Sequence, residues 1–262
     1  MLYQTHELIL VLILLAGIVL FYFASLNLFQ RKKKNNPEYA PGGLGPMEGA
    51  LLGLISLLLS FTFSKSASNY DQRRKLVVEE MNDIGTVLLR SDLYIDSLRT
   101  EFRADLKDYI AARIDYYEAE DDERINNALQ HAEVLSQKIW MRASQAAQQP
   151  GDVKSMQMIP AVNSMMDIVS RREEARQAHT PDIIIALLFI LIWAGSFMVG
   201  FAARTKKAEW IILCIYSLMT VITTYVILDL DRPRKGMINT HAIHQNMTHL
   251  FEMASEKNSR QM

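Results

Sequence analysis

A single cysteine, Cys214, among 262 residues excludes an intrachain disulfide and leaves the redox compartment unread. No glycine-rich phosphate loop, nucleophile elbow or zinc-ligand spacing occurs, so neither an enzyme nor a bound cofactor is expected. His241, His244 and His249 have no companion cysteine and fit a polar tail better than a zinc site. The acidic stretch Glu118 to Glu123 lacks the ligand periodicity and the glycine of a calcium loop and reads as a solvated bend. No metal is expected. Basic residues are scattered rather than interleaved with aromatics, which argues against nucleic acid as a partner.

Charge is the other thing missing, but only locally. The chain carries 28 Lys and Arg against 29 Asp and Glu, for a net charge of −1, and half of its residues are hydrophobic. That mixture is too apolar for one soluble domain and too charged for a purely lipidic one. Four windows resolve it: Leu8 to Phe29, Gly42 to Ser64, Ile183 to Ala203 and Trp210 to Leu228 contain a single charge, Glu48. A helix rises about 1.5 Å per residue, so roughly 20 apolar residues cross a bilayer whose core is ~30 Å thick. Four membrane-spanning helices follow, and Glu48 becomes a candidate site at the start of the second. The first window is read as a retained anchor, because its apolar run is long and Met1 to Glu7 hold no Lys or Arg.

An even number of spans places the long segment Lys65 to Pro181 and both termini on one side. Basic residues crowd both sides: Arg31 to Lys34, Arg204, Lys206 and Lys207 in the short connections, and Arg73, Arg74, Lys75, Arg171, Arg172, Arg176, Arg232, Arg234 and Lys235 opposite. The positive-inside rule therefore assigns no side.

The long segment reads as helices. Leu98, Phe102, Leu106, Tyr109, Ile110, Ile114 and Tyr117 repeat at three-and-four spacing. Ile125 to Ala143 does the same until Pro150-Gly151, and Ile159, Val162, Met166 and Val169 mark a third helix. Thr180-Pro181 has the chemistry of an N-cap and first-turn proline for the third span. No Gly or Pro stops the second span before Ser91, so that helix is expected to continue out of the membrane to about Arg90.

The second span carries the most informative pattern. Gly45, Gly49, Gly53, Ser56, Ser60 and Ser64 follow at steps of four, four, three, four and four. At about 100° per residue they share one sector of roughly 100°. Leu51, Leu54, Leu58 and Phe61 occupy other sectors. Such a stripe serves either close helix packing, where small residues let backbones approach, or a pore wall, where they leave room for water and ions. Spacing leaves both open.

Beyond it, Ser60-Phe61-Thr62-Phe63-Ser64 leads into Tyr70-Asp71, Arg73-Arg74, Asn82 and Gly85, and Asp229-Leu230-Asp231-Arg232-Pro233 ends the fourth span. Taken alone, these strings fit a solvated helix with surface ion pairs and a membrane-edge turn. Together they resemble the second helix and the post-span acidic stretch of bestrophin-like bacterial membrane proteins. The resemblance implies a pentameric ion channel whose second helix lines the pore, with an apolar neck among Leu58, Phe61 and their neighbours and a helical cytosolic domain extending the path. The chain has Arg234-Lys235-Gly236 where bestrophins usually carry Phe-Gly after the proline. No acidic cluster after the fourth span resembles the calcium clasp of animal bestrophins, so calcium gating is not implied.

The expectation is thus an all-α membrane protein with four transmembrane helices and a helical soluble domain inserted between the second and third. Its parts are 1–68 and 181–229 as transmembrane hairpins, 69–180 as the soluble domain and 230–262 as a polar tail. The pore-lining candidates are Gly49, Gly53, Ser56, Ser60, Ser64, Leu58 and Phe61, with Glu48 as a mouth charge; partners are further copies of the chain, membrane lipid and permeating inorganic ions, in a bacterial inner membrane. A membrane-anchored scaffold or sensor, whose helical domain binds a partner, is the alternative; oligomeric state discriminates between the two.

Overall fold

The computed structural model describes residues 6–35, 46–119, 121–148, 153–202, 210–232 and 241–255. Among them it is helical with no strand: α1 (Glu7–Asn35), α2 (Pro46–Ser91), α3 (Asp96–Glu118), α4 (Asp122–Ala147), α5 (Ser155–Gln177), α6 (Asp182–Ala202), α7 (Trp210–Leu230) and α8 (His241–Ser255). Four stretches are long and apolar enough to cross a membrane: α1, the first part of α2, the α5–α6 stretch by virtue of α6, and α7. Each overlaps one of the four charge-poor windows, of which residues 42–45 and 203 lie outside the described residues. As the absence of a stop signal predicts, α2 runs unbroken to Ser91, and the amphipathic repeats emerge as α3, α4 and α5.

The chain divides into two compact units, one of residues 1–70 and 179–238, the other of 71–178 and 239–262. In the first, α1 packs along α6 and α7. Leu14, Ile18, Tyr22, Leu188 and Ile192 form its core. Backbones approach closely where side chains are smallest: a Cβ on Gly17 would run into the Trp193 indole, and one on Gly200 would lie 2.7 Å from the Tyr22 carbonyl oxygen. Polar side chains close this seam by donating to carbonyls of the neighbouring helix. Trp193 Nε1 reaches the Leu14 oxygen at 3.2 Å, Ser196 Oγ the Ile18 oxygen at 2.7 Å, and Tyr216 Oη the Ile192 oxygen at 2.6 Å. Helix α6 starts at Asp182, and Thr180 before it turns its hydroxyl to Ser66 Oγ, 3.3 Å away.

The second unit has a larger apolar core. Phe102, Leu106, Tyr109 and Ile110 of α3 meet Ile139 and Ala143 of α4, Met158, Val162 and Met165 of α5, and Val77, Ile84 and Leu88 of α2. Asp121 caps α4, its carboxylate accepting from the Arg124 N–H at 2.7 Å. Helix α8 lies within the stretch that composition alone marks as a polar tail. It packs on α3 and adds Met247, Leu250, Phe251 and Ala254 to the core, while Arg103 donates to the Met253 carbonyl at 3.0 Å. Each large apolar side chain buried this way contributes about 1.5–3 kcal/mol.

Candidate functional site

The stripe on α2 faces away from its own bundle. Ile55, Thr62 and Ser66 are the buried residues of the apolar half, and they cluster about 150° round the helix from the Gly49–Ser64 sector. Gly49, Gly53, Ser56, Ser60 and Ser64 are all exposed, and a Cβ on either glycine would meet nothing within 4 Å. Ser56 Oγ donates to the Leu52 carbonyl at 2.9 Å, so its hydrogen is satisfied by its own helix while its lone pairs face outward. Close packing within the chain, as at Gly17 and Gly200, is not what this stripe does.

The large residues nearby separate. Phe61 is 66% exposed and flanks the stripe, whereas Leu58 is half-buried and packs with Leu51, Leu52 and Leu59 on the bundle core. Glu48 sits half-buried in the first turn of α2. Followed further along α2, the stripe's sector carries Asp71 and Arg74, both exposed, and then Asn82. Gly45 lies outside the described residues.

The motif residues go to different places. Tyr70 is half-buried; Arg73 is buried and its Nη1 donates to the Ala178 carbonyl at 3.4 Å. Asn82 is exposed and Gly85 half-buried, with Leu250 Cδ2 3.6 Å from where a Cβ would sit. Asp229 and Asp231 are buried, and Pro233 lies outside the described residues. Asp231 Oδ2 accepts from the Thr180 N–H at 3.1 Å, and Arg232 Nη1 donates to Glu7 Oε2 at 2.6 Å. This knot of polar groups ties together the start of α1, α2 at Ser66, the approach to α6 and the end of α7. Glu7, Ser66, Thr180 and Arg232 were not singled out as partners in the sequence; an acid placed just before an apolar window was the one available signal. Among the described residues no three of His, Cys, Asp and Glu come together as a metal site. The side chains of His241 and His244 are outside the described residues.

A second constellation went unnoticed in the sequence because its members are dispersed on three helices. Glu80 on α2 and Arg113 on α3 are fully buried, joined through Arg113 Nε and Glu80 Oε1 at 2.5 Å. Arg172 of α5 bonds Glu80 Oε2, to which the Tyr117 hydroxyl also donates at 3.1 Å. Burial alone would push the Glu80 carboxyl up, but the two guanidiniums outweigh it and hold it near 2. Burial and the Glu80 charge push the Tyr117 hydroxyl above its ordinary value. Asp83, partly buried beside Glu79, is also raised.

A family model described as the bestrophin-like domain matches residues 11–241. No curated protein matches the chain significantly. A single-substitution variant of a bacterial bestrophin homologue from Klebsiella pneumoniae superposes with a TM-score of 0.73 at 13% identity, covering 96% of this chain and 99% of its own. Another crystal structure of that homologue gives 0.70 at 12% identity, covering 94% and 99%. A variant of a crystallised membrane protein gives 0.72 at 13%, covering 94% and 98%. The chain belongs to the bestrophin-like family.

Proposed function

We propose that this protein is a homo-oligomeric ion channel of the inner cell membrane, built from five copies, with α2 nearest the axis and lining the pore. In this reading α1, the apolar half of α2, α6 and α7 cross the bilayer, and residues 69–180 form a water-soluble helical domain inserted between the second and third spans. One observation carries it: the small-residue face of α2 points away from every other helix of its own unit and is open, while the opposite face is the one that packs. An open stripe of glycines and serines in a bilayer gains from facing water or a second copy rather than lipid tails. The bestrophin-like motifs on α2 and after α7 support the same arrangement.

Rings of serine hydroxyl and glycine backbone bind ions weakly and discriminate poorly between signs. Charge preference then comes from Glu48 at one mouth and from Asp71 and Arg74, which continue the stripe beyond Ser64. The apolar constriction implied by the resemblance falls to Phe61 rather than Leu58, since Leu58 packs inward. The test is Ser60→Trp in a planar bilayer. The bulky indole is expected to abolish conduction while native mass spectrometry still shows the oligomer. Loss of the oligomer would make the stripe an interface instead, and unchanged current with unchanged assembly would remove α2 from the pore.

A further inference from the structure

The buried charges of the second unit are incompletely matched. Arg113 is fully buried, with its Nε on Glu80 and its guanidinium carbon 4.4 Å from the centre of the Tyr116 ring. Its Nη1 and Nη2 reach no acceptor among the described residues, and neither does the fully buried hydroxyl of Tyr109, four residues earlier on the same face of α3. Glu80 is engaged elsewhere, its second oxygen taken by Arg172 and Tyr117. The inner set therefore has two guanidiniums for one carboxylate. Asp83 lies at its rim without bonding Arg113, and Glu79 is held in a bidentate pair by Arg171, at 2.5 and 3.0 Å.

Guanidinium N–H groups removed from water without an acceptor are among the costliest groups a core can hold. Arg113 cannot relieve the cost by losing its proton, since a guanidinium stays charged and the neighbouring Glu80 strengthens that state. What is missing beside it is an acceptor. The Arg113 N–H edge donates only, the Tyr109 hydroxyl donates as well as accepts yet makes no bond to that edge, and the uncompensated charge is positive. A water would fill the hydrogen bonds but leave the charge; a small anion does both.

We propose that the core of the second unit binds one small monovalent inorganic anion of the halide class, held by Arg113 Nη1 and Nη2 and by the Tyr109 hydroxyl. The Tyr116 ring covers one face of the guanidinium and apolar side chains of the core surround it, a setting that suits a compact, weakly hydrated ion better than a polyatomic one. The proposal does not depend on the channel reading. Its role is to complete the charge balance that joins α2, α3 and α5.

The experiment uses the detergent-solubilised full chain. Crystals grown with bromide in place of chloride are expected to show an anomalous peak within hydrogen-bond distance of Arg113 and Tyr109. A peak there with no anomalous signal is a water and overturns the proposal. In parallel, thermal unfolding is followed as chloride replaces gluconate at constant ionic strength, and Tm is expected to rise to saturation. Tyr109→Phe, which removes only the hydroxyl, should raise the half-saturating chloride concentration roughly tenfold. Tyr94→Phe, whose hydroxyl is satisfied by Ser155 at 3.1 Å, should leave that concentration unchanged. An equal response in Tyr109→Phe and the unaltered chain places any chloride effect elsewhere, and the proposal fails.

Discussion

In the unit of residues 1–70 and 179–238 the tightest packing is made by the smallest residues, Gly17 against Trp193 and Gly200 against Tyr22. In the unit of 71–178 and 239–262 it is made by the largest, with Phe102, Tyr109 and the fully buried Arg113 at the centre. In the proposed arrangement the difference follows from the solvent each unit meets. Lipid tails are as apolar as leucine, so helices within a bilayer gain little by burying large apolar side chains against one another; they gain by backbone proximity and by bonds such as Ser196 to the Ile18 carbonyl. In water the apolar area itself drives packing, and a buried ion pair is tolerated once its partners are in place. The α2 stripe shares the composition of the first kind of seam and has no partner among the described residues of its own chain.

The largest effect that would sharpen this contrast is Glu80→Gln. It strands Arg113 and Arg172 in the core and should cost about 3–5 kcal/mol in stability. Hydrogen exchange should show the loss in α3 and α5 and spare α6; uniform loss in both units would break the comparison.

Acid should act on the same group. Glu80 has a folded value near 2 against an ordinary 4.5, a depressed carboxylate. Its contribution is therefore complete above about pH 4.5 and is lost as pH falls towards 2, on the order of 3 kcal/mol in all. Unfolding of the second unit followed from pH 5 to 2.5 should show this slope, and Glu80→Gln should flatten it.

Gly17→Ala comes next, because the new methyl must displace the Trp193 indole; a loss of about 1–3 kcal/mol is expected from thermal unfolding in detergent. The smallest effect is the same substitution at Gly53, where nothing lies within 4 Å of the added carbon. There alanine should be neutral or stabilising by about 0.5–1 kcal/mol, through helix propensity alone. Equal losses at Gly17 and Gly53 would mean that the stripe packs as tightly in the assembled protein as the α1–α6 seam does within one chain.

Much of the helix layout was legible in the order of residues. Four charge-poor windows, the missing stop between Ser64 and Ser91, and the three-and-four repeats from Leu98 each report a local property, and local properties are what periodicity and propensity measure. The stripe's spacing was legible too, but its meaning was not, since glycines four apart look alike whether Trp193 or open space lies beyond them. Leu58 and Phe61 were grouped for the same reason, although one packs inward and the other outward.

What the sequence by itself determined was which segments are helical, which of them suit a bilayer, and which residues share a face, because helix geometry follows from chain order and side-chain chemistry at short range. Only the tertiary structure decided that Glu80, Arg113 and Arg172 meet, that Asp231 answers the Thr180 N–H and Arg232 answers Glu7, that α8 completes the core on α3, and which side of α2 is left open. Those pairings join residues tens to hundreds of positions apart. No periodicity encodes them, since they depend on how whole helices pack once their apolar faces are buried.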